Sequence, residues 1–139
     1  MADLIIGNNV LAQVPDLHDF VAGMALLLSP SGVVTLELPH LERLMGENQF
    51  DTIYHEHFSY FSLLVIERLA MKHGLRIFDV EQLPTHGGSL RVYLCHVDSR
   101  HVTSPSVKAL LAHERCIGLG DIRSYEHFAA NVHNTKRQL

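Results

Sequence analysis

The sequence predicts an α/β fold: a four-stranded sheet whose last two strands form an antiparallel pair, followed by C-terminal helices. Short apolar runs alternate with amphipathic segments of helical length over residues 3–74, and such strand–helix–strand units form parallel sheets through right-handed crossovers. Residues 75–83 and 89–97 are two strands separated by a short turn that contains glycine, which is typical of antiparallel neighbours. After residue 100 the periodicity is helical only.

The composition is that of a globular protein, with 47% hydrophobic and 19% charged residues among 139. Lys plus Arg number 11 and Asp plus Glu number 15, which gives a formal net charge of −4. Because no basic block is present, this charge argues against nucleic-acid binding, and the longest apolar run is too short to span a membrane. The two cysteines cannot build a disulfide framework and no signal-peptide pattern is found, so we expect a cytoplasmic protein.

The first half of the chain alternates strand and helix. Residues 3–8 are almost all apolar and predict a strand that is buried on both faces. Asp16 is a suitable N-cap for the next helix, whose apolar face consists of Leu17, Phe20, Val21, Met24, Leu27 and Leu28. Residues 29–32 (Ser-Pro-Ser-Gly) have the composition of a turn, and residues 33–38 predict a second strand that ends at Pro39.

The second half begins with a weak helix over residues 40–47 and a loop over residues 48–60. Ser62 caps a longer helix that ends at Gly74, and the two antiparallel strands follow. The Ser-Pro pair at residues 104–105 predicts the first tail helix, because serine is a good N-cap and proline fits the first helical position.

The loop over residues 48–60 holds the densest group of reactive side chains: Tyr54, His55, Glu56 and His57. Ionisable residues in a loop beside a sheet are typical of catalytic sites, and histidine is the side chain most often used as a general base. A neighbouring Glu can orient the imidazole, and a Tyr can donate to a developing enolate oxygen. Two alternatives stay open on these residues alone: a metal site at His55 and His57, and a surface loop with incidental histidines in a chain that has 11.

Two motifs make the sequence similar to a known family. Residues 50–57 read Phe-Asp-Thr-Ile-Tyr-His-Glu-His, and residues 83–91 read Leu-Pro-Thr-His-Gly-Gly-Ser-Leu-Arg. Together with residues 8–10 (Asn-Asn-Val) and 38–39 (Leu-Pro), they resemble the S-adenosylmethionine-dependent sugar C-methyltransferases, over nearly the whole chain. Those enzymes methylate the carbon next to the keto group of nucleotide-linked keto-sugars. The resemblance implies that a base removes the proton α to the ketone and that the enediolate attacks the methyl group of S-adenosylmethionine.

The resemblance also implies roles for residues of this sequence. His57 is the favoured base, and Glu56 and Tyr54 are active-site residues beside the sugar. Asn8 and Asn9, at the carboxyl end of the first strand, lie near the methyl donor.

Three further residues are implied on the substrate side. Gln13 stands where members of the family often have a histidine, and its amide cannot act as an acid or a base. His86 and Gly87 lie in the turn between the last two strands, where the backbone can approach the substrate closely. The family pattern implies no metal ligand among these residues.

The family pattern further implies that the chain is a middle or C-terminal fragment, holding the C-terminal half of a Rossmann-like methyltransferase sheet. Residues 1–100 would belong to that domain, and residues 101–139 would form a helical extension towards a further domain. The glycine-rich loop, the ribose-binding acid and the cysteine-rich zinc domain of the family are not found in this sequence. We therefore expect S-adenosylmethionine as the cofactor of the full-length protein, and zinc only in an N-terminal domain outside this chain.

The same resemblance predicts the order of the strands as residues 3–8, 33–38, 89–97 and 75–83, with only residues 89–97 antiparallel. Residues 3–8 are then an exposed edge, which can template pairing with another chain. We expect this edge to form a homodimer, to exchange a segment, or to be covered by the tail helices. The expected small-molecule partner is a nucleotide-sugar.

Two other functions compete with this one. A non-catalytic binding or scaffold domain could keep the same fold, and a degenerate glycine-rich loop in the full-length gene would favour it. A metal-dependent hydrolase could use His55, Glu56 and His57, and it would need stoichiometric metal.

Overall fold

The structure, a computed structural model, describes residues 1–138, which contain a four-stranded mixed sheet. The strands are β1 (Ala2–Asn8), β2 (Leu28–Pro39), β3 (Leu75–Leu83) and β4 (Ser89–His96). Their order is β1-β2-β4-β3, with β1 parallel to β2 and β4 antiparallel to both of its neighbours. The predicted order of the strands and the reversed direction of the last one are confirmed.

The helices connect the strands and form the end of the chain. They are α1 (Leu17–Leu27), α2 (Leu41–Gly46), α3 (Leu63–Lys72), α4 (Pro105–Cys116) and α5 (Ile122–Gln138). Short 3-10 turns occur at Leu11–Gln13, Phe50–Thr52 and Thr85–Gly87. Within residues 1–138 no helix has both the length and the hydropathy of a membrane span.

The helices begin at the capping residues that the sequence indicated. The Asp16 carboxylate accepts a hydrogen bond from the Asp19 amide at 3.0 Å, and Ser62 Oγ accepts one from the Val65 amide at 3.4 Å. Each side chain satisfies an N–H group that has no partner inside its helix. After α3, Gly74 adopts a φ of +73°, the left-handed conformation that favours glycine at the end of a helix.

One face of the sheet carries the hydrophobic core. On this face Val34, Leu36 and Leu38 of β2 lie opposite Leu94, Val92 and Leu90 of β4, and all six are at most 1% exposed. The two-residue period of a strand puts these side chains on one side, where α1, α3 and α4 pack against the sheet. The core therefore follows from the apolar pattern of β2 and β4.

The opposite side of β1 is less buried than the sequence predicted. Leu4 and Ile6 are 55% and 64% exposed, whereas a strand buried on both faces was expected. The strand is apolar, but it is the edge strand of the sheet and has a neighbour on one side only. The tail helix α4 packs against α3 and β3, at the other end of the sheet, and leaves these two side chains in solvent.

Strand β2 begins earlier than the predicted boundary at residue 33. Leu28 pairs with Ala2 and Val33 pairs with Leu4, so residues 29–32 form an irregular insertion between two paired positions. A Cβ on Gly32 would lie 2.9 Å from the Ala2 carbonyl oxygen, so glycine lets the two strands approach. The turn composition of this segment thus produces a bulge inside a strand instead of a separate turn.

The tail helix α4 is tied to the core by a buried carboxylate. Glu114 is 0% exposed, and its oxygens accept hydrogen bonds from the amides of Leu63 at 2.8 Å and Leu64 at 2.9 Å. Those amides begin α3, where a negative charge is stabilised by unpaired N–H groups and the helix dipole. Nε2 of His40 lies 2.9 Å from the same carboxylate, so Glu114 joins α3, α4 and the end of β2.

Candidate active site

The predicted site residues lie at the ends of three strands or in the loops that follow them, on one side of the sheet. Strands β1, β2 and β3 run in the same direction, so Asn8, Pro39 and Leu83 end them on the same side. Ligands of open α/β sheets bind in the crevice outside these carboxyl ends. The loops that follow the three strands contain Gln13, the His57 motif and the His86 turn.

Tyr54 and His57 are brought into contact by a tight turn. The His57 amide donates to the Tyr54 carbonyl at 3.1 Å, which closes the turn, and Tyr54 Oη lies 3.2 Å from His57 Nε2. The two rings are 4.4 Å apart between centroids, and the ring of Tyr60 packs edge-on against His57 at 6.0 Å. The bend that these side chains need in order to meet is therefore present.

The other nitrogen of His57 decides which tautomer is present. His57 Nδ1 lies 3.0 Å from the carbonyl oxygen of Thr52. A carbonyl can only accept, so Nδ1 carries the hydrogen and donates it. In neutral His57 the basic lone pair is then on Nε2, and the Tyr54 hydroxyl donates to it. This arrangement leaves Nε2 able to take a proton once Tyr54 moves aside.

Glu56 and His55 are largely exposed, and the His55 ring lies edge-on to the Tyr54 ring at 6.3 Å between centroids. Their side chains are 62% and 90% exposed, and the two come within 4.0 Å of each other at His55 Nε2. No hydrogen bond joins Glu56 to His57 within the described residues. Residues 1–138 contain no group of three His, Cys, Asp or Glu side chains placed to hold a metal ion, so the hydrolase alternative gains no support from the geometry.

Gln13 lies on a 3-10 turn that is bonded to the loop of His57. The carbonyl oxygen of Ala12 accepts hydrogen bonds from the Phe58 amide at 2.8 Å and the Ser59 amide at 3.3 Å. This backbone contact joins the turn of Gln13 to the loop that follows His57, and the Gln13 side chain is exposed to solvent. Its amide is available to a ligand that approaches the edge of the sheet.

Asn8 ends β1, and Asn9 directly after it has a strained backbone conformation. Asn9 has a φ of +54°, and its amide donates to the carbonyl of Glu37 at 2.7 Å. Asparagine tolerates this left-handed conformation better than most residues. Neither side-chain amide has a hydrogen-bond partner within residues 1–138, so both can serve a polar ligand.

The turn at residues 85–88, for which the resemblance predicts substrate contacts, is called the substrate turn below; it is backbone-strained and solvent-exposed. His86 has a φ of +51°, followed by Gly87 at +77° and Gly88 at +113°. A non-glycine residue in this region costs free energy and persists only where its surroundings hold it. The side chain of His86 is exposed at the carboxyl edge.

Glu37 is a site residue that the sequence analysis missed. It is 7% exposed, and its carboxylate accepts hydrogen bonds from Arg91 Nη2 at 2.8 Å and from Thr85 Oγ1 at 3.2 Å. The hydrogen bond that Arg91 donates to Glu37 is the main cause that raises the pKa of Arg91, so the guanidinium stays charged. A signal was present: Glu37 interrupts an apolar strand, and its pairing partner in β4 is the basic residue Arg91.

Two family models match successive parts of the chain. A model described as a methyltransferase domain matches residues 1–80, and one described as a C-methyltransferase C-terminal domain matches residues 84–139. C-methyltransferase NovU of Streptomyces niveus is 40% identical over 139 residues, which is 100% of this chain and 33% of NovU. The chain thus spans about a third of the length of this curated relative.

Solved structures share the fold. TnmH matches with a TM-score of 0.56 at 26% identity, over 69% of this chain and 31% of TnmH. The O-methyltransferase NcsB1 from neocarzinostatin biosynthesis, in complex with S-adenosylmethionine and 2-hydroxy-5-methyl naphthoic acid, matches at 0.54 and 20% identity, over 70% of this chain and 29% of its own. LepI in complex with S-adenosylmethionine matches at 0.55 and 15% identity, over 68% of this chain and 26% of its own.

The mixed sheet and the domain model that matches residues 1–80 define the class of methyltransferase domains. Within that class the chain belongs to the C-methyltransferase family, as the resemblance of its motifs predicted.

Proposed function

We propose that the protein methylates the carbon next to the ketone of a nucleotide-linked keto-sugar, with His57 as the general base. One observation carries this proposal: the Thr52 carbonyl fixes the Nδ1 hydrogen of His57, so the basic nitrogen is Nε2 at the carboxyl edge. The family supports transfer to carbon, and the motifs around His57 and His86 support the sugar.

His57 moves the proton in the first step. Nε2 takes the proton from the α-carbon, and the electrons of that C–H bond form a carbon–carbon double bond while the charge passes to the former carbonyl oxygen. S-adenosylmethionine, when bound, supplies the electrophilic methyl group for this carbon. The imidazolium of His57 then returns its proton to solvent. General-base catalysis of this kind contributes about 10²- to 10⁴-fold in rate.

Tyr54 has two successive partners in this scheme. Without substrate its hydroxyl donates to Nε2 of His57 at 3.2 Å. Once Tyr54 moves aside, Nε2 is free to take the substrate proton, and the Tyr54 hydroxyl can donate to the developing enediolate oxygen. The exposed carboxylate of Glu56 can accept from a sugar hydroxyl, and the exposed amide of Gln13 can contact the same ligand.

Asn8 and Asn9 are the residues of this chain that we assign to the cofactor. Their unpartnered side-chain amides lie at the carboxyl end of β1, and such groups fit the polar ribose and amino-acid parts of S-adenosylmethionine. They would bind and orient the donor over the edge of the sheet, next to the loop of Gln13. The neighbours NcsB1 and LepI were solved with S-adenosylmethionine, which supports the same cofactor here.

The remaining assignments follow from the resemblance and the composition. We place the protein in the cytoplasm as part of deoxysugar biosynthesis, with zinc only in an N-terminal domain outside these 139 residues. The 139 residues alone are proposed to be inactive. A homodimer through β1 is proposed from its exposed edge.

Exchange of the α-hydrogen for solvent deuterium tests the base without methyl transfer. The protein from its complete reading frame is incubated in D₂O with a nucleotide-linked keto-sugar, and deuterium at the α-carbon is read by mass spectrometry. We expect exchange with the unmodified protein and with His55→Asn, the exposed neighbour, but not with His57→Asn. The absence of exchange and of methyl transfer with any keto-sugar would favour a non-catalytic binding domain.

A further inference from the structure

The substrate turn is held by side chains and backbone from other elements. Gln49 Nε2 donates to the Gly87 carbonyl at 2.9 Å, and the His40 amide donates to the Gly88 carbonyl at 3.0 Å. From Thr85, the hydroxyl donates to Glu37 at 3.2 Å. These contacts hold the left-handed His86, which a free turn would not keep.

Gln49 packs so closely against this turn that residue 87 has no room for a side chain. A Cβ on Gly87 would lie 2.7 Å from Gln49 Nε2 and 2.8 Å from Gln49 Oε1. The positive φ of Gly87, +77°, disfavours a side chain as well. Two separate features of Gly87, its conformation and the space beside it, therefore fit the approach of Gln49.

The backbone of the same residue supports the base. Thr52 donates to the Gln49 carbonyl through its amide at 3.2 Å and through Oγ1 at 2.9 Å. The carbonyl of Thr52 in turn accepts from Nδ1 of His57 at 3.0 Å. A continuous path of hydrogen bonds thus leads from the Gly87 carbonyl through Gln49 and Thr52 to the base.

The orientation of the Gln49 amide is fixed by its acceptors. Nε2 donates to the Gly87 carbonyl and also to Glu47 Oε2 at 2.6 Å, and both partners can only accept. Neither a carboxylate nor an apolar side chain at residue 49 could make these two bonds. The glutamine side chain therefore has the length and the donor group that these two hydrogen bonds require.

We propose that Gln49 is a positioning residue that couples the substrate turn, residues 85–88, to the tautomer and orientation of His57. The inference rests on the proposed function, which assigns the base to His57 and substrate contacts to His86 and Gly87. Gln49 itself touches no reacting atom. It holds the two parts of the site at a fixed distance, so that ordering one part orders the other.

The test is made by nuclear magnetic resonance on the ¹⁵N-labelled 139-residue chain, without any ligand. Gln49→Met keeps the length of the side chain and removes both donors. We expect the Gly87 and Gly88 amide signals to shift and their protection from hydrogen exchange to fall about two- to tenfold, the loss of one hydrogen bond. The two ring ¹⁵N signals of His57, well separated when one tautomer dominates, should move towards each other.

Gln82→Met is the matched control. Gln82 is an exposed glutamine that lines a cleft of about 440 Å³ beside the turn. None of the hydrogen bonds that hold the turn comes from its side chain. It should leave the signals of Gly87 and His57 unchanged. Equal spectra for the two variants would overturn the proposal, because a coupling residue must move both reporters.

Two further measurements keep the result decisive. If Gln49→Met lowers the stability of the whole chain, Gln49→Asn is used, since its amide is one methylene too short to reach Gly87. In the protein from its complete reading frame, Gln49→Met should raise KM for the keto-sugar and slow deuterium exchange. His57→Asn should abolish the exchange without raising KM. Failure of exchange in the unmodified protein would refute the proposed function, and the resonance test of Gln49 would still stand or fall on its own.

Discussion

The apolar face of the sheet and its carboxyl edge are built on opposite principles. On the face, Leu36, Val92 and their neighbours are at most 1% exposed and repeat every second residue, so a regular pattern produces a dense core. At the edge, Asn9 and His86 have positive φ angles, and single hydrogen bonds between distant residues hold the loops. The difference indicates that the core face determines the stability of this chain and the loops at the carboxyl ends determine its proposed activity. Substitutions in one region should therefore change one property and leave the other nearly unchanged.

The largest expected effect is at the edge. His57→Asn removes the proposed base and should lower methyl transfer and α-hydrogen exchange by about 10²- to 10⁴-fold, because general-base catalysis supplies that factor. The free energy of unfolding should change by about 1 kcal/mol or less, since His57 is half-buried and makes two hydrogen bonds. Steady-state assays and urea unfolding measure the two quantities. Turnover within a few-fold of the unmodified protein would show that His57 is not the base.

A matched substitution on the face should do the reverse. Leu36→Ala removes a side chain that is 1% exposed and leaves a cavity, so we expect the free energy of unfolding to fall by about 2–5 kcal/mol. Urea unfolding of the 139-residue chain measures the change. Leu4→Ala, in the exposed edge strand, is the control and should cost far less. Equal losses for the two variants would contradict the division between face and edge.

A third prediction concerns how much of the donor site the edge supplies. This sequence has no G-x-G-x-x-G motif, and the residues assigned to S-adenosylmethionine are Asn8 and Asn9. Because the glycine-rich loop and an acidic residue make most polar contacts to such ligands, the 139-residue chain should bind the donor only weakly. Isothermal titration calorimetry of this chain should show no micromolar binding, and a micromolar Kd would refute this division of the site.

The predictability of the two regions differs for the same physical reason. The caps at Asp16 and Ser62 and the strand over residues 33–38 are local signals, and the sequence alone predicts them correctly. The early start of β2 at Leu28 depends on pairing with Ala2, and the exposure of Leu4 and Ile6 in β1 depends on where the helices pack against the sheet. Both features depend on contacts between distant parts of the chain, so neither can be predicted from neighbouring residues alone.

The candidate site follows the same division. Tyr54 and His57 are three residues apart in a recognisable motif, so the sequence could suggest their contact. Gln49 and Gly87 are 38 residues apart, and Glu37 and Arg91 are 54 apart, so only the folded chain brings each pair together. The exposed orientation of Glu56 likewise depends on the turn that Tyr54 and His57 close.

Smaller effects should distinguish the residues around the base. Tyr54→Phe removes the hydroxyl that lies 3.2 Å from Nε2 and should slow methyl transfer about tenfold, as expected for one lost hydrogen bond to a developing charge. Glu56→Gln should cost less, because the carboxylate is exposed and has no contact with His57. The comparison uses kcat for each variant. A larger loss for Glu56→Gln than for His57→Asn would transfer the role of the base to the carboxylate.

The smallest expected effect is at the edge strand β1. It is apolar like the core face of the sheet but exposed like the loops at the carboxyl ends of the strands. Leu4 and Ile6 point to solvent, and the outer N–H and C=O groups of the strand have no strand beside them within residues 1–138. Such an edge favours pairing with a second copy, and an inserted charge discourages it.

The 139-residue chain should therefore self-associate, and Ile6→Lys should weaken the association about tenfold, as sedimentation velocity at several concentrations would show. The free energy of unfolding should barely change, because residue 6 is already 64% exposed. Val65→Lys, at a 44% exposed position on α3, is the control and should leave association unchanged. A chain that remains monomeric at millimolar concentration, or equal effects of the two lysines, would contradict assembly through β1.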